Sequence, residues 1–116
     1  MKVLLILNDA PYGIERTYNG LRIAHVLAMR KGVELKIFLM GDAVISAVSG
    51  QKVPAGYYNA QVMVGNPIKH GAVVGICGAC MDARGVQEAQ LIAGAHRSTM
   101  EELADWTAWA DKVITF

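Results

Sequence analysis

The sequence predicts an α/β protein in which a parallel sheet is interleaved with helices. Three observations carry this expectation. Lys2–Leu7 is a nearly continuous apolar run, the pattern of a strand covered on both faces of a parallel sheet. Ala72-Val73-Val74-Gly75-Ile76 is a second short apolar run, of the length and content of a buried strand. Around these two runs lie stretches with apolar residues at helical spacing, so strand and helix alternate along the chain.

One domain is the natural reading of 116 residues. The chain is 53% hydrophobic and 18% charged, enough for a sizeable core with apolar surface left over for subunit contacts. The formal charge is +1, and the Lys and Arg residues are scattered, so neither nucleic acid nor an anionic membrane is called for. No apolar run approaches the roughly 18 residues of a membrane span. Asn8-Asp9 ends the first run too early for a signal-peptide core, and no small-residue cleavage site follows at once. The run therefore reads as a first strand, and the expected location is the cytoplasm. In a reducing compartment, two cysteines at x-x spacing point to a redox, metal or transfer site rather than a structural staple.

Each element follows from local chemistry. After Lys2–Leu7 comes Asn8-Asp9-Ala10-Pro11-Tyr12-Gly13, a stretch of turn formers. Loops that follow strand C-termini in α/β sheets line the ligand crevice, which makes Asn8, Asp9 and Tyr12 candidate site neighbours. Turn and cap chemistry alone is the plainer alternative for all three. A helix from about Glu15 to Lys31 is expected next, stopped by Gly32. Leu21, Ala24, Leu27 and Ala28 share a face, while Ile23, Val26 and Met29 widen the apolar arc, a sign of a second partner surface. His25, beside the main stripe, reads as a packing residue.

Val33–Met40 forms the second strand, alternating at first and then wholly apolar. Asp42 is expected to cap a helix reaching about Val48, with its carboxylate on the free N–H groups of the first turn. Residues 50–56 read as a loop. Asn59–Val64 reads as helical, and Gly65-Asn66-Pro67 is expected to break or kink that helix. His70 precedes the cysteine strand at the end remote from Cys77, about 7 residues at roughly 3.3 Å each. Val86–Ile92 looks helical. Gly94–Arg97 is a short fourth strand or a loop, and as a strand it would bring His96 to a strand end like that of Cys77. A last helix is signalled by a capping box at Ser98–Glu101 or, one residue on, Thr99–Glu102. Met100, Leu103, Trp106, Thr107 and Ala110 share its face and Trp109 points away. Val113–Phe116 is the final strand.

The chemistry centres on Gly71–Gly85. The apolar strand ends in Cys77, and Met81-Asp82-Ala83-Arg84 closes as a short helix with Gly85 as its stop. A sulfur at a strand end that runs into a helix start meets free N–H groups, and a nearby Arg adds positive charge. Both favour the thiolate, the reactive form. Arg84 either stabilises such an anion or forms a salt bridge with Asp82 or Glu88. Cys77 with Cys80 can carry sulfur, form a resolving pair or bury as two small hydrophobes. They supply only half of the four ligands of a structural zinc, and no second Cys-x-x-Cys or close His pair completes the set in one chain, so a metal is left as an alternative that ligands shared across a subunit axis would have to complete; the reading taken has no metal and no cofactor. The candidate residues are Cys77 and Cys80 for catalysis and Asn8, Tyr12, Gly78 and Arg84 for binding.

With that unit in place, the chain resembles the DsrE/DsrF-like family, with its TusD-type and YchN-like members, over nearly its full length. The features that carry the likeness are the apolar first strand, Asp42-Ala43-Val44, Cys77-Gly-Ala-Cys-Met-Asp-Ala-Arg-Gly85 and Ala110-Asp-Lys-Val-Ile-Thr-Phe116. The resemblance implies a three-layer α/β/α fold around a mainly parallel sheet of about five strands, assembled as a trimer or hexamer. It also implies that a cysteine at a strand end accepts sulfane sulfur as a persulfide and passes it on. Cys77 occupies that position and Arg84-Gly85 matches the Arg-Gly that follows it, whereas Cys80 belongs to a subset of members. The implied partners are sulfur-donor and sulfur-acceptor proteins or small thiols. A binding or regulatory oligomer without catalysis, and a thiol–disulfide oxidoreductase, are the rival readings.

Overall fold

Five parallel strands and four α-helices make up the computed structural model, which describes all 116 residues. The elements are β1 (Lys2–Leu7), α1 (Arg16–Met29), β2 (Glu34–Leu39), α2 (Ala60–Lys69), β3 (Val73–Cys77), α3 (Gly78–Ala83), β4 (Ala95–Ser98), α4 (Met100–Trp109) and β5 (Lys112–Thr115). Two 3₁₀ segments, Gly41–Ala47 and Glu88–Gln90, fill connections. The strand order is β4-β3-β2-β1-β5. The first four strands are laid down in one direction, and the chain then recrosses the sheet to set β5 beside β1. Right-handed crossovers put a helix that reverses direction on the opposite face, which gives the three-layer arrangement.

The apolar runs behave as their composition dictates. Leu4, Leu5 and Leu7 of β1 and Ile37, Phe38 and Leu39 of β2 are wholly buried, because both strands have paired neighbours on each side. α1 packs on the first face at Gly20, where an added Cβ would lie 2.4 Å from Leu7. On the other face α4 inserts Trp106 edge-on against Phe38, with ring centroids 6.1 Å apart. Gly75 makes room for it, since a Cβ there would meet the indole at 3.0 Å. Ile23, Val26 and Met29 are exposed on α1, as their place outside the main stripe requires.

Several expectations are corrected. α2 runs unbroken through Gly65-Asn66-Pro67 to Lys69. Pro67 removes a single N–H close to a helix end, and its own carbonyl accepts from His70 and Ala72 at 3.0 Å each, so the chain leaves the helix without a kink. Asn59 caps the start by accepting from Val62 N–H. Asp42 caps no helix: the segment after β2 is 3₁₀, and the carboxylate serves an ion pair instead. Val86–Ile92 is not helical beyond the one 3₁₀ turn. Gln87 and Gln90 close that turn on themselves, and Ile92 N–H is drawn to Ala47 carbonyl at 2.9 Å. Thr99, not Ser98, caps α4. Met100 and Thr107 are exposed rather than on its buried face, while Trp109 is half-buried beneath Lys36, 4.2 Å from the ring centroid.

Candidate functional site

The C-terminal ends of β1, β2 and β3 converge on two sulfurs. Cys77 closes β3 and is also the residue on which α3 starts, so no loop separates strand from helix. Its Sγ accepts from the Cys80 N–H at 3.4 Å. Cys80, one turn into α3, turns its Sγ toward β2 and accepts from the Gly41 N–H at 3.2 Å. Gly41 holds φ at +57°, and a Cβ there would sit 3.0 Å from the Asn8 carbonyl oxygen, so a side chain is excluded both by conformation and by space. Asn8 in turn donates through Nδ2 and its backbone N–H to the Phe116 carbonyl at 3.0 and 3.1 Å. Asn8 therefore reaches the sulfurs through Gly41, by backbone.

Gly78 is the second position where a side chain has no room. A Cβ would lie 2.9 Å from Cζ and Nε of Arg97 and from the Ser98 carbonyl oxygen. The Arg97 guanidinium is laid across this turn and gripped by both oxygens of Asp82 at 2.8 Å. Ser98 stands opposite Cys77 in the β3–β4 register. His96 lies two residues back, opposite Gly75, so it is not at the strand end. Ser98 Oγ donates to Glu102 Oε1, and His96 Nε2 contacts the same oxygen. Burial pushes the Glu102 carboxyl up, but the Ser98 and His96 hydrogen bonds, with the charges of His96 and Lys36, outweigh it and hold the group below its usual range.

The two cysteines differ. Both are free. Cys77 is only 5% exposed and Cys80 is half-buried. Burial pushes the Cys77 thiol up, and the neighbouring Cys80 thiol adds to this. The N–H groups of Cys80 and Ala79 pull the other way without prevailing. The expected thiolate-favouring setting of Cys77 is thus corrected: the strand end lies too deep for its N–H donors to offset lost solvation. Nor does Arg84 face a sulfur. Its Nε and Nη2 take Asp42 Oδ1 at 2.9 and 2.8 Å and its Nη1 donates to the Cys80 carbonyl at 3.0 Å. Neither Asp82 nor Glu88, the expected ion-pair partners, is used.

Tyr12 belongs to another cluster. Its hydroxyl donates to Gln51 Oε1 at 2.6 Å and accepts from the Ala60 N–H at 3.0 Å. Its ring stacks on Tyr58, which packs on Tyr18, beside an open cavity of about 600 Å³. Gly41, Arg97, Asp82 and Ser98 escaped the sequence reading. Gly41 carried a usable signal, a glycine directly after an apolar strand, where the crevice rule places ligand contacts. Arg97 and Ser98 are brought in by pairing between β3 and β4, and Asp82, local to the cysteine turn, takes its part through its bond to Arg97. No group of three or more His, Cys, Asp or Glu side chains is arranged to hold a metal ion.

A family model described as the DsrE/DsrF-like family matches residues 1–116. The chain belongs to the DsrE/DsrF-like family. Protein YchN of Escherichia coli is 41% identical over 116 residues, which cover 99% of this chain and 98% of that protein. Its crystal structure superposes with a TM-score of 0.93. An uncharacterised protein of Methanocaldococcus jannaschii is also 41% identical, over the whole of both chains. A protein of unknown function from Methanobacterium thermoautotrophicum, 14% identical, shares the fold with a TM-score of 0.74 over 99% of this chain and 97% of that one. Family membership supports a protein of the sulfur-relay type in general, with relay partners in general. No helix is long and apolar enough to cross a membrane.

Proposed function

We propose that this DsrE/DsrF-like chain is a carrier that takes up sulfane sulfur as a persulfide on its cysteine pair, holds it on Cys77 and passes it to another thiol. The observation that carries the reading is the pair of free sulfurs at the C-terminal end of β3, each accepting one backbone N–H. Such donors favour sulfur anions, and persulfide transfer runs through sulfur anions. Gly78 keeps the turn open to Arg97, and Asn8 fixes the strand end beside Gly41. Donors and acceptors are small thiols or proteins presenting one. The exposed apolar residues Ile23, Val26 and Met29 on α1 and Val62 on α2 support assembly of single-domain subunits into a homotrimer or homohexamer. Free thiols fit work in the cytoplasm.

Intact mass after incubation with a sulfane-sulfur donor tests this. A gain of about 32 Da, reversed by reductant and absent from the Cys77→Ser/Cys80→Ser double variant, is the expected result. A loss of about 2 Da would instead mean a Cys77–Cys80 disulfide and a thiol–disulfide oxidoreductase. Two free thiols three residues apart, joined by the Cys80 N–H to Cys77 Sγ contact, keep that second reading in view. No change in mass would point to a binding or regulatory oligomer.

A further inference from the structure

We infer that Cys80, not Cys77, is the thiol through which sulfur enters, and that Cys77 receives the sulfur second from Cys80. The inference rests on the sulfur-carrier reading and assigns an order within it. Three observations carry it.

The first is access. A donor persulfide must bring its outer sulfur into line with the attacking sulfur, and Cys77 is 5% exposed at the base of the turn. Cys80 lies nearer solvent, on the outer side of the same turn. The second is the environment of each sulfur. Cys80 Sγ has the Gly41 N–H at 3.2 Å, brought in from the segment that follows β2. The positive φ of Gly41 favours glycine there, and the Asn8 carbonyl, 3.0 Å from where a Cβ would lie, crowds any side chain beside that N–H. A fixed donor of this kind stabilises charge on the attacking sulfur and on the persulfide formed there. Cys77 has the weaker 3.4 Å contact, and that contact comes from Cys80 itself. Burial, which pushes the Cys77 thiol up, agrees with the same order. The third is the link between them. Cys80 lies one turn on from Cys77 and its N–H donates to Cys77 Sγ at 3.4 Å, so sulfur on Cys80 has an acceptor within the same turn.

The steps balance without an oxidant. The Cys80 thiol loses its proton and attacks the outer sulfur of a small-molecule persulfide. The Cys80 S–S bond forms, the donor S–S bond breaks, and the departing donor thiolate takes up the proton. Cys77 then attacks the outer sulfur on Cys80. A Cys77 S–S bond forms as the Cys80 S–S bond breaks, and the Cys77 proton moves to the Cys80 sulfur. Both steps are redox-neutral exchanges, and the second places the sulfur in the less exposed position.

Uptake from glutathione persulfide tests the order, followed by intact mass in the wild type, Cys77→Ser and Cys80→Ser. Cys77→Ser is expected to retain uptake, with sulfur on Cys80. Cys80→Ser is expected to load at least about tenfold more slowly, since its remaining thiol is buried. Equal rates in the two variants, or faster loading of Cys80→Ser, would overturn the order of entry and leave the carrier reading standing. Failure of the wild type to load would overturn both. A measurement on the unmodified chain guards against misfolded variants. Limiting iodoacetamide on the native protein, followed by trypsin, gives one peptide, His70–Arg84, that holds both cysteines. Fragment masses between them report which reacted first. Label on Cys80 supports the order, and label first on Cys77 overturns it.

Discussion

Two connections leave the same edge of the sheet two strands apart. After β3 the chain enters α3 with no intervening residue, and the turn is clasped from outside by Arg97–Asp82 and Arg84–Asp42. After β1 residues 8–15 intervene, and that loop is clasped by tyrosine hydroxyls: Tyr12 to Gln51 and Ala60, and Tyr58 to Pro11. Both connections sit where ligand crevices form in open α/β sheets. They differ in what their polar atoms have left to give. The Tyr12 hydroxyl has spent its donor and one acceptor site on the fold. The sulfur of Cys80 has accepted one N–H, and the residue is only half-buried. Position at a sheet edge nominates a residue, and unspent bonding capacity separates a reactive group from a structural one.

The widest separation is expected in sulfur uptake. The Cys77→Ser/Cys80→Ser variant should show no gain of mass with glutathione persulfide, whereas Tyr58→Phe should load as the wild type does. Loss of uptake in Tyr58→Phe would make the tyrosine loop part of the site and break the comparison.

The glycines of the two connections make the next test. Gly78→Ala drives a Cβ to 2.9 Å from a backbone carbonyl as well as from the Arg97 guanidinium. The carbonyl cannot swing aside, so we expect a cost of about 2–3 kcal/mol in urea unfolding. Gly13→Ala meets nothing within 4 Å, and only the φ of +100° opposes it. Its expected cost is about 1–2 kcal/mol. Equal costs would mean that the cysteine turn is no tighter than the tyrosine loop. Tyr12→Phe follows at about 1 kcal/mol, because it leaves the Ala60 N–H without its partner while the ring still stacks.

How much of this was legible depended on whether the deciding contact was local. β1 and β3 could be read because a strand buried on both faces needs an apolar run and nothing else. The cysteine turn could be read because strand end, cysteines and Gly85 lie within nine residues of one another. α2 was misread because Pro67 looks disruptive until its nearness to the helix end is known. Residues 86–92 were misread because their apolar residues serve contacts with the segment after β2, as in the Val48–Leu91 bridge, rather than a helical face. At the site, Arg97 was missed because it reaches the cysteine turn from another strand, and single-chain spacing carries no record of strand order; Gly41 follows an apolar strand, but its contact with Cys80 exists only because β2 lies beside β3. The depth of Cys77 was hidden likewise, since burial at a strand end depends on the layers above it.

The smallest expected effect separates the two regions by pH. Burial, with the Cys80 thiol adding to it, raises the Cys77 thiol, and burial, with the charges of Tyr12, Glu15 and Tyr18, raises the Tyr58 phenol. A group raised on folding contributes stability that is full below its unfolded pKa and is lost as pH rises through the folded one. The cysteine turn should therefore begin to weaken above about pH 8.5, the ordinary cysteine value, and the tyrosine cluster only above about pH 10. Urea midpoints measured from pH 7 to 11 should fall in two stages. Cys77→Ser should remove the first stage and Tyr58→Phe the second. A single stage that neither substitution alters would mean that the two connections do not differ in how burial sets their chemistry, and the contrast between them would rest on sulfur uptake alone.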